Sequence, residues 1–471
     1  MFWVAVSTLA IIGMWTAAGL CALGAARTAR TPQGAMGWVV FLLALPVLAI
    51  PAYMFFGHHR FRSYRDTRRR SQELVQRLLP RETVPVQPPD TLGINPAPLE
   101  AVAGVQVAGG NLCRLLIDGA AAFDAMFDAM DQARDYLLVQ FYIVRDDALG
   151  RQLRDRMIAA ARRGVTVWFM CDRVGSRALP AAYSELLAEA GVNLVDPATR
   201  RGPKHRFQLN FRNHRKTVIA DGRTGFTGGL NVGIEYLGQD PGFGPWRDTH
   251  IRLEGPAVLQ LQQVYAEDWH WLTEEPLLEL LHWDTPPQPG GVPVLIAATG
   301  PGDNTENGSM LFFSAIAAAQ ERVWIASPYF VPDLDVVAAL KNAALRGLDV
   351  RVILPEAIDH HAPWLAAFSF FDDLSDAGVR IFRYGEGFMH QKVLLIDNRL
   401  SGVGTTNLDN RSFRLNFEAM ALVFDADFAA QTEAMLEADL ARSAELALRL
   451  GDQRLLIRLG APVARLFSPL L

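Results

Sequence analysis

Two stretches near the amino terminus, residues 2–24 and 35–57, carry no charge and are almost wholly apolar. At 1.5 Å rise per residue, a helix would carry each across roughly 33 Å, enough for the hydrocarbon core of a bilayer. The link between them holds Arg27, Arg30 and Pro32, so the pattern predicts a transmembrane helical hairpin with both ends on one side. Arg60, Arg62, Arg65, Arg68, Arg69 and Arg70 follow the second stretch, against two arginines between the stretches. That bias predicts a multi-pass membrane protein with the remainder of the chain on the cytoplasmic side. A cleaved signal peptide fits poorly, because no charged region leads the first stretch and a second follows at once.

Beyond residue 100 the pattern changes to short units. Ala161-Arg162-Arg163-Gly164-Val165-Thr166-Val167 reads as a helix end, a glycine cap and a strand, and Ala344-Leu345-Arg346-Gly347-Leu348-Asp349-Val350 answers it. Ala190-Gly191-Val192 and Ala377-Gly378-Val379 repeat the step, and Tyr142 in Phe141-Tyr142-Ile143 answers Tyr329 in Pro328-Tyr329-Phe330. Alternating helices and strands of this length predict an α/β fold with a mixed sheet and helices on both faces in each half, the two sheets meeting at a shared cleft. The expected organisation is a helical hairpin at 1–57, a basic and Pro-rich linker at 58–100, α/β domains at 101–284 and 285–445, and a tail at 446–471. Pro85, Pro88, Pro89, Pro96 and Pro98 make the linker a semi-rigid spacer. Pro286-Pro287-Gln288-Pro289-Gly290-Gly291 divides the halves. The tail from Leu455 to Leu471 is apolar with Arg458 and Arg465 interspersed, and would dock on the core or lie at a membrane interface.

Composition narrows the partners. The net charge is −5, which argues against a global nucleic-acid surface. Cys21, Cys113 and Cys171 show no pairing pattern, which fits a reducing compartment. No sequence pattern of a metal site is present, so neither metal nor cofactor is expected. The sequence carries no signal of oligomeric state.

The repeat also carries chemistry. His214-Arg215-Lys216 is followed by Thr217-Val218-Ile219-Ala220 and Asp221, and His390-Gln391-Lys392 by Val393-Leu394-Leu395-Ile396 and Asp397. Gly228-Gly229-Leu230-Asn231 and Gly404-Thr405-Thr406-Asn407 trail them. The short branched runs read as buried strands, on which His and Lys two apart share a face and Asp takes the other. Two such strands brought together surround one point with two imidazoles, two ammonium groups (Lys216, Lys392) and two amides (Asn231, Asn407). That is a pocket for a tetrahedral phosphate: the cations and amides stabilise its oxygens, one histidine attacks phosphorus, and the other moves the proton. Asp248 and Glu418, each opening a strand-like stretch after the motif histidine of its own half, are the expected orienting partners for the two imidazoles. The first half holds an additional basic stretch, Arg200, Arg201, Lys204, Arg206 and Arg212, which reads equally as a solvated loop or as a patch beside the phosphate site for anionic headgroups, nucleic acid being the other anion it could hold.

The duplicated His-Lys-Asp pattern resembles that of the phospholipase D superfamily. Arg212-Asn213-His214-Arg215-Lys216, Phe226-Thr227-Gly228-Gly229-Leu230-Asn231, Trp246-Arg247-Asp248-Thr249-His250, Ser327-Pro328-Tyr329-Phe330-Val331-Pro332-Asp333 and Asn407-Leu408-Asp409-Asn410-Arg411-Ser412-Phe413 resemble bacterial cardiolipin synthases in particular. The resemblance implies two tandem phospholipase D-like α/β sandwich domains sharing one pseudo-two-fold site, with His214, Lys216, Asp221, His390, Lys392 and Asp397 as the catalytic set. It implies metal-free transfer between two phosphatidylglycerol molecules, giving cardiolipin and glycerol through a phosphohistidine, with His214 as nucleophile. The two motifs by themselves do not choose between the histidines. Hydrolysis of membrane lipids on the same site is the alternative. The partners implied are phosphatidylglycerol and anionic membrane lipids, not nucleic acid. The first copy departs from the family in having Gly229 where a Ser or Thr is common, which removes one hydroxyl contact.

Overall fold

The computed structural model describes residues 2–29, 31–57, 73, 93–195, 211–301, 303 and 306–471. The arginines at 60–70, the prolines at 85–89 and the basic residues Arg200, Arg201, Lys204 and Arg206 lie outside the described residues. The chain divides into two compact units, Met1–Leu74 and Val75–Leu471.

In the first unit the opening apolar stretch forms one helix, Phe2–Thr28, whose Val6–Thr28 part is long and apolar enough to cross a membrane. The second stretch differs from the expected single helix. It forms two shorter ones, Pro32–Ala44 and Pro46–Phe56, broken at Leu45. Pro46 lacks an N–H and disfavours helical backbone in the residue before it, which explains the break. Ala22, Ala25, Leu42, Ala49 and Tyr53 form the small interior, while Leu9, Ile12, Leu20 and Val47 face outward. Three of the five interior residues are alanines and the outward ones are large and apolar, which suits contact with lipid.

The second unit contains both halves of the repeat. Ordered from one edge, the first half reads Asn193–Val195, Thr166–Cys171, Tyr136–Phe141, Thr217–Ala220, Thr224–Gly228, Thr249–Glu254 and Ala108–Ile117. The far edge of the second half is an extra strand without counterpart, Ser443–Glu445; inward of it the half reads Arg380–Tyr384, Asp349–Pro355, Arg322–Ala326, Val393–Ile396, Leu400–Gly404, Asn416–Phe424 and Val292–Thr299. The orders are identical, so the sequence repeat is a structural repeat. The halves are not two separate sheets: Ala108–Ile117 pairs antiparallel with Val292–Thr299 and makes one continuous sheet. They also share an interior, in which Leu138, Ile219 and Ile251 pack with Leu395, Val403 and Ala421. The helices Ala257–Thr273 and Ala426–Leu440 close this shared core, and other helices cover the outer faces. Gly164 and Gly347 end their helices at φ +90° and +88°, backbone that only glycine adopts without strain.

Each motif strand ends in a turn at its Asp. Asp221 and Asp397 adopt φ +54° and +52°. The carboxylate of Asp221 accepts the N–H groups of Arg134, Asp135 and Tyr136, and that of Asp397 those of Gln320, Glu321 and Arg322, all at 2.8–3.0 Å. Both carboxylates are therefore taken up by backbone, at the end of the strand remote from the histidine. The resemblance counts them with the catalytic residues; the geometry gives them the work of clipping the motif strand to the start of its neighbour. Replacing either Asp by Ala should lower the unfolding free energy by about 2 kcal/mol or more, because three N–H groups lose a charged acceptor. Denaturant unfolding checks this, and KM for substrate should stay unchanged in the folded fraction.

Candidate active site

The histidines do not lie within the motif strands. Thr217–Ala220 and Val393–Ile396 begin after the lysines, and His214–Lys216 and His390–Lys392 form irregular lead-ins. These lead-ins are placed by two short parallel bridges that cross between the halves. Arg212–Asn213 pairs with Asn416–Phe417, and Phe388–Met389 with Trp246–Arg247. The next backbone bonds extend both registers: His214 N–H to Phe417 O at 3.0 Å, and His390 N–H to Arg247 O at 2.8 Å. Each histidine is thus set beside the carboxylate that follows its partner residue.

The outcome reverses the expected pairing. His214 Nδ1 lies 3.0 and 2.9 Å from the two carboxylate oxygens of Glu418, and His390 Nδ1 lies 2.9 Å from Asp248 Oδ2. Each half orients the other half's imidazole. Asp248 and Glu418 are the partners, but crossed, because the bridges join halves rather than neighbours along the chain. With both Nδ1 atoms occupied, each Nε2 is left for chemistry.

Lys216 and Lys392 are almost completely buried. Lys216 Nζ donates to the carbonyl of His214 at 2.6 Å, and Lys392 Nζ donates to that of His390. Each ammonium keeps further donors for a ligand. Burial, then the neighbouring cations, push Lys216 well below its ordinary range, and burial brings Lys392 down to about 8 despite Asp248 and Glu418. His214 is lowered to about 4, chiefly by burial and then by Lys216 and Lys392 against the pull of Glu418. Burial, Lys392, Lys216 and His214 together hold His390 well below its ordinary value. The four groups oppose one another's charge, which places them in a single cluster whose cations Glu418 and Asp248 only partly offset.

The two carboxylates differ. Glu418 also accepts from the Thr405 hydroxyl and, at 3.1 Å, from the Asn416 amide, and His214, Lys216 and Thr405 outweigh burial and hold it below its usual range. Asp248 accepts the Thr249 N–H at 2.8 Å and the Trp246 indole at 3.3 Å, and burial raises it. Gly229 stands where Thr405 stands in the other half. A Cβ there would fall 1.9 Å from Asp248 Oδ1, so the departure from the family pattern makes room for this carboxylate.

The two Asn residues also differ. Asn231 accepts the Ile143 N–H at 3.0 Å and donates to the Tyr236 hydroxyl at 3.1 Å, so it braces the chain beside Tyr142 rather than presenting a vacant amide. The Asn407 carbonyl oxygen is buried without a hydrogen-bond partner among the described residues. Tyr142 packs edge-on to His214, with ring centroids 5.1 Å apart, and lies 5.6 Å from Lys216 Nζ.

Reading by motif missed the supports between His and Lys. Arg215 donates to Asp268 at 2.7 Å and to the carbonyls of Glu418 and Thr299. Gln391 donates to Asp439 at 2.7 Å, and Arg247 grips the same carboxylate through two bonds. Asp268 and Asp439 sit at equivalent points of the two closing helices, so comparing the halves beyond the motif would have found them.

Known proteins resemble this chain over nearly its whole length. Residues 126–241 and 312–440 match the family described as cardiolipin synthase, PLD-like domain. Cardiolipin synthase A of Pseudomonas aeruginosa is 44% identical over 485 aligned residues, covering 98% of this chain and 96% of the relative. Cardiolipin synthase A of Pseudomonas fluorescens is 45% identical, with 96% of each chain covered. The crystal structure of phosphatidylserine synthase from Haemophilus influenzae shares the fold at a TM-score of 0.60 and 15% identity, covering 80% of this chain and 99% of that one. Two matched domains, one in each half of the repeat, and relatives aligned almost end to end make this chain a member of the phospholipase D-like cardiolipin synthase family.

Proposed function

We propose that this protein joins two phosphatidylglycerol molecules into cardiolipin and glycerol, with His214 as nucleophile and His390 as the proton carrier. The crossed carboxylates carry the reading. Glu418, held ionised by three donors, fixes the proton on His214 Nδ1 and leaves the Nε2 lone pair to attack phosphorus. The bond from phosphorus to the glycerol oxygen breaks as the bond to nitrogen forms. His390 Nε2–H gives its proton to the departing glycerol alkoxide. It then takes the proton of the second phosphatidylglycerol's hydroxyl, whose oxygen attacks phosphorus and frees His214.

A bound phosphodiester adds a further negative charge beside Glu418 and Asp248. Its anion offsets Lys216 and Lys392, so His390 can hold a proton that the unliganded site opposes. Lys216, Lys392 and Asn407 form the phosphate-binding set. Asn231 acts one step back, through the chain at Ile143. The dry surroundings of these groups favour a lipid hydroxyl over water. Anchorage in the bacterial inner membrane, with the site on its cytoplasmic side, is supported by the Phe2–Thr28 helix and by the arginine bias of the sequence.

Purified protein given phosphatidylglycerol alone should release glycerol and form cardiolipin, read by lipid mass spectrometry; phosphatidic acid as the main product would replace transfer with hydrolysis. His214→Ala and His390→Ala should each reduce turnover by roughly 10³-fold or more with unchanged thermal unfolding.

The crossed pairing makes a separate prediction. In nitrogen NMR of the imidazoles, Glu418→Gln should shift the His214 signals and spare those of His390, and Asp248→Asn should do the reverse. Shifts confined to the same half would refute the crossing.

The pH profile follows from the protonation states that the reaction needs. His214 must be neutral, so kcat/KM falls as pH drops through about 4. The proton on His390 and the charges of Lys216 and Lys392 are all required, so kcat/KM falls as pH rises and is lost by about 8 at the latest, where Lys392 discharges.

A further inference from the structure

The helix Leu455–Arg465 is built inside out. Its inner side is mostly small: Ala461 and Ala464 are buried beside Ile457, and Gly460 lies so close to Leu365 on the helix His361–Asp376 that an added Cβ would fall 2.8 Å from that leucine. Its large side chains face away from the protein. Leu456 is 85% exposed, Leu466 77%, and Leu455, Leu459, Val463 and Phe467 are each more than half exposed. At 3.6 residues per turn, Leu455, Leu459, Val463, Leu456 and Leu466 share one arc of about 100°. Arg458 and Arg465 lie on one flank of that arc, and Arg465 stacks over Phe370 with its guanidinium 4.8 Å from the ring. Arg454 precedes the helix. Between Arg454 and Leu471 there is no acidic residue, in a chain of net charge −5.

We infer that this outward face is a docking surface for an anionic bilayer. An apolar arc flanked by arginine, on a helix already fixed by its other side, is the form of a helix lying in a membrane interface. The charge selects this occupant over a second copy of the chain. A two-fold contact through the same face would bring the arginines of two tails together. The segment is also joined to the site. The carbonyl of Leu471 accepts the N–H of Arg411 at 2.8 Å, four residues after Asn407. Docking therefore holds the site's rim against the surface in which its substrate lies. This step rests on the phospholipid-transfer reading, while the surface itself rests on exposure and charge.

The test uses the full chain reconstituted in phosphatidylcholine vesicles, with Leu456→Glu, Leu459→Glu and Val463→Glu combined. Turnover of long-chain phosphatidylglycerol in the same bilayer should fall by roughly tenfold or more. Turnover of dispersed short-chain phosphatidylglycerol should stay at the parent level. A separate Arg458→Glu variant should raise KM on vesicles and weaken its dependence on salt. Unchanged bilayer turnover, or equal loss on both substrates, would overturn the proposal, as would a fall in oligomer size that accompanies the loss. The product formed from the short-chain lipid tests the transfer reading independently, since it needs no docking.

Discussion

The organising constraint is the pair of crossed histidine–carboxylate bonds. Two buried carboxylates, two buried lysines and two buried histidines would each be strongly unfavourable alone. They are tolerable because every charge meets a partner, and for the histidines that partner comes from the other half. The two-residue bridges Arg212–Asn213 with Asn416–Phe417 and Phe388–Met389 with Trp246–Arg247 set the register. A slip of one residue would turn Glu418 or Asp248 away from its imidazole. Assembly of the site and docking of the halves are consequently one event. Neither half contains a complete catalytic histidine, which explains why the continuous sheet and the shared apolar core accompany the duplication.

Near-identical frames then carry different electrostatics. Glu418 has a hydroxyl and an amide on its oxygens, and Asp248 has an indole and a backbone N–H. Gly229 faces Asp248 where Thr405 faces Glu418. His250, lowered to about 4 by burial, occupies the strand position that Met420 fills opposite, since both lie two residues beyond their carboxylate. A symmetric site would offer two equal nucleophiles and no committed proton donor. These few substitutions give the two imidazoles different surroundings on one repeated backbone, which is what the proposed division of roles requires.

Much of this was legible in the sequence, for physical reasons that can be named. The glycines at 164, 191, 347 and 378 mark helix ends because they take positive φ. The branched runs after His-x-Lys could be read as strands because nothing else buries so many β-branched residues so briefly. The turn role of Asp221 and Asp397 followed from their odd spacing. Which carboxylate serves which histidine was not legible. Spacing along the chain reports local geometry, whereas Asp248 and Glu418 reach their partners through tertiary bridges of two residues each. The break at Leu45 was carried by Pro46 but masked by an uninterrupted apolar pattern, which measures hydrophobicity and not backbone continuity. Arg215 and Gln391 escaped because their partners, Asp268 and Asp439, are buried acids on amphipathic helices, where sequence reading expects exposure.

The burial that orients the histidines also bears on the choice of acceptor. Lys216 and Lys392 are almost without solvent contact, so a phosphate held between them, as proposed, would be separated from bulk water. A water molecule entering alone would have to leave its own hydrogen bonds for an apolar approach. A lipid hydroxyl arrives with its acyl chains still in the bilayer and its headgroup directed at the site. Selectivity for transfer over hydrolysis thus depends on delivery as much as on chemistry. The outward leucines of the Leu455–Arg465 helix and the bond from Leu471 to Arg411 join the delivering surface to the segment that carries Asn407. On the inferred docking, the bilayer would add a second wall to a site that burial already closes to bulk water.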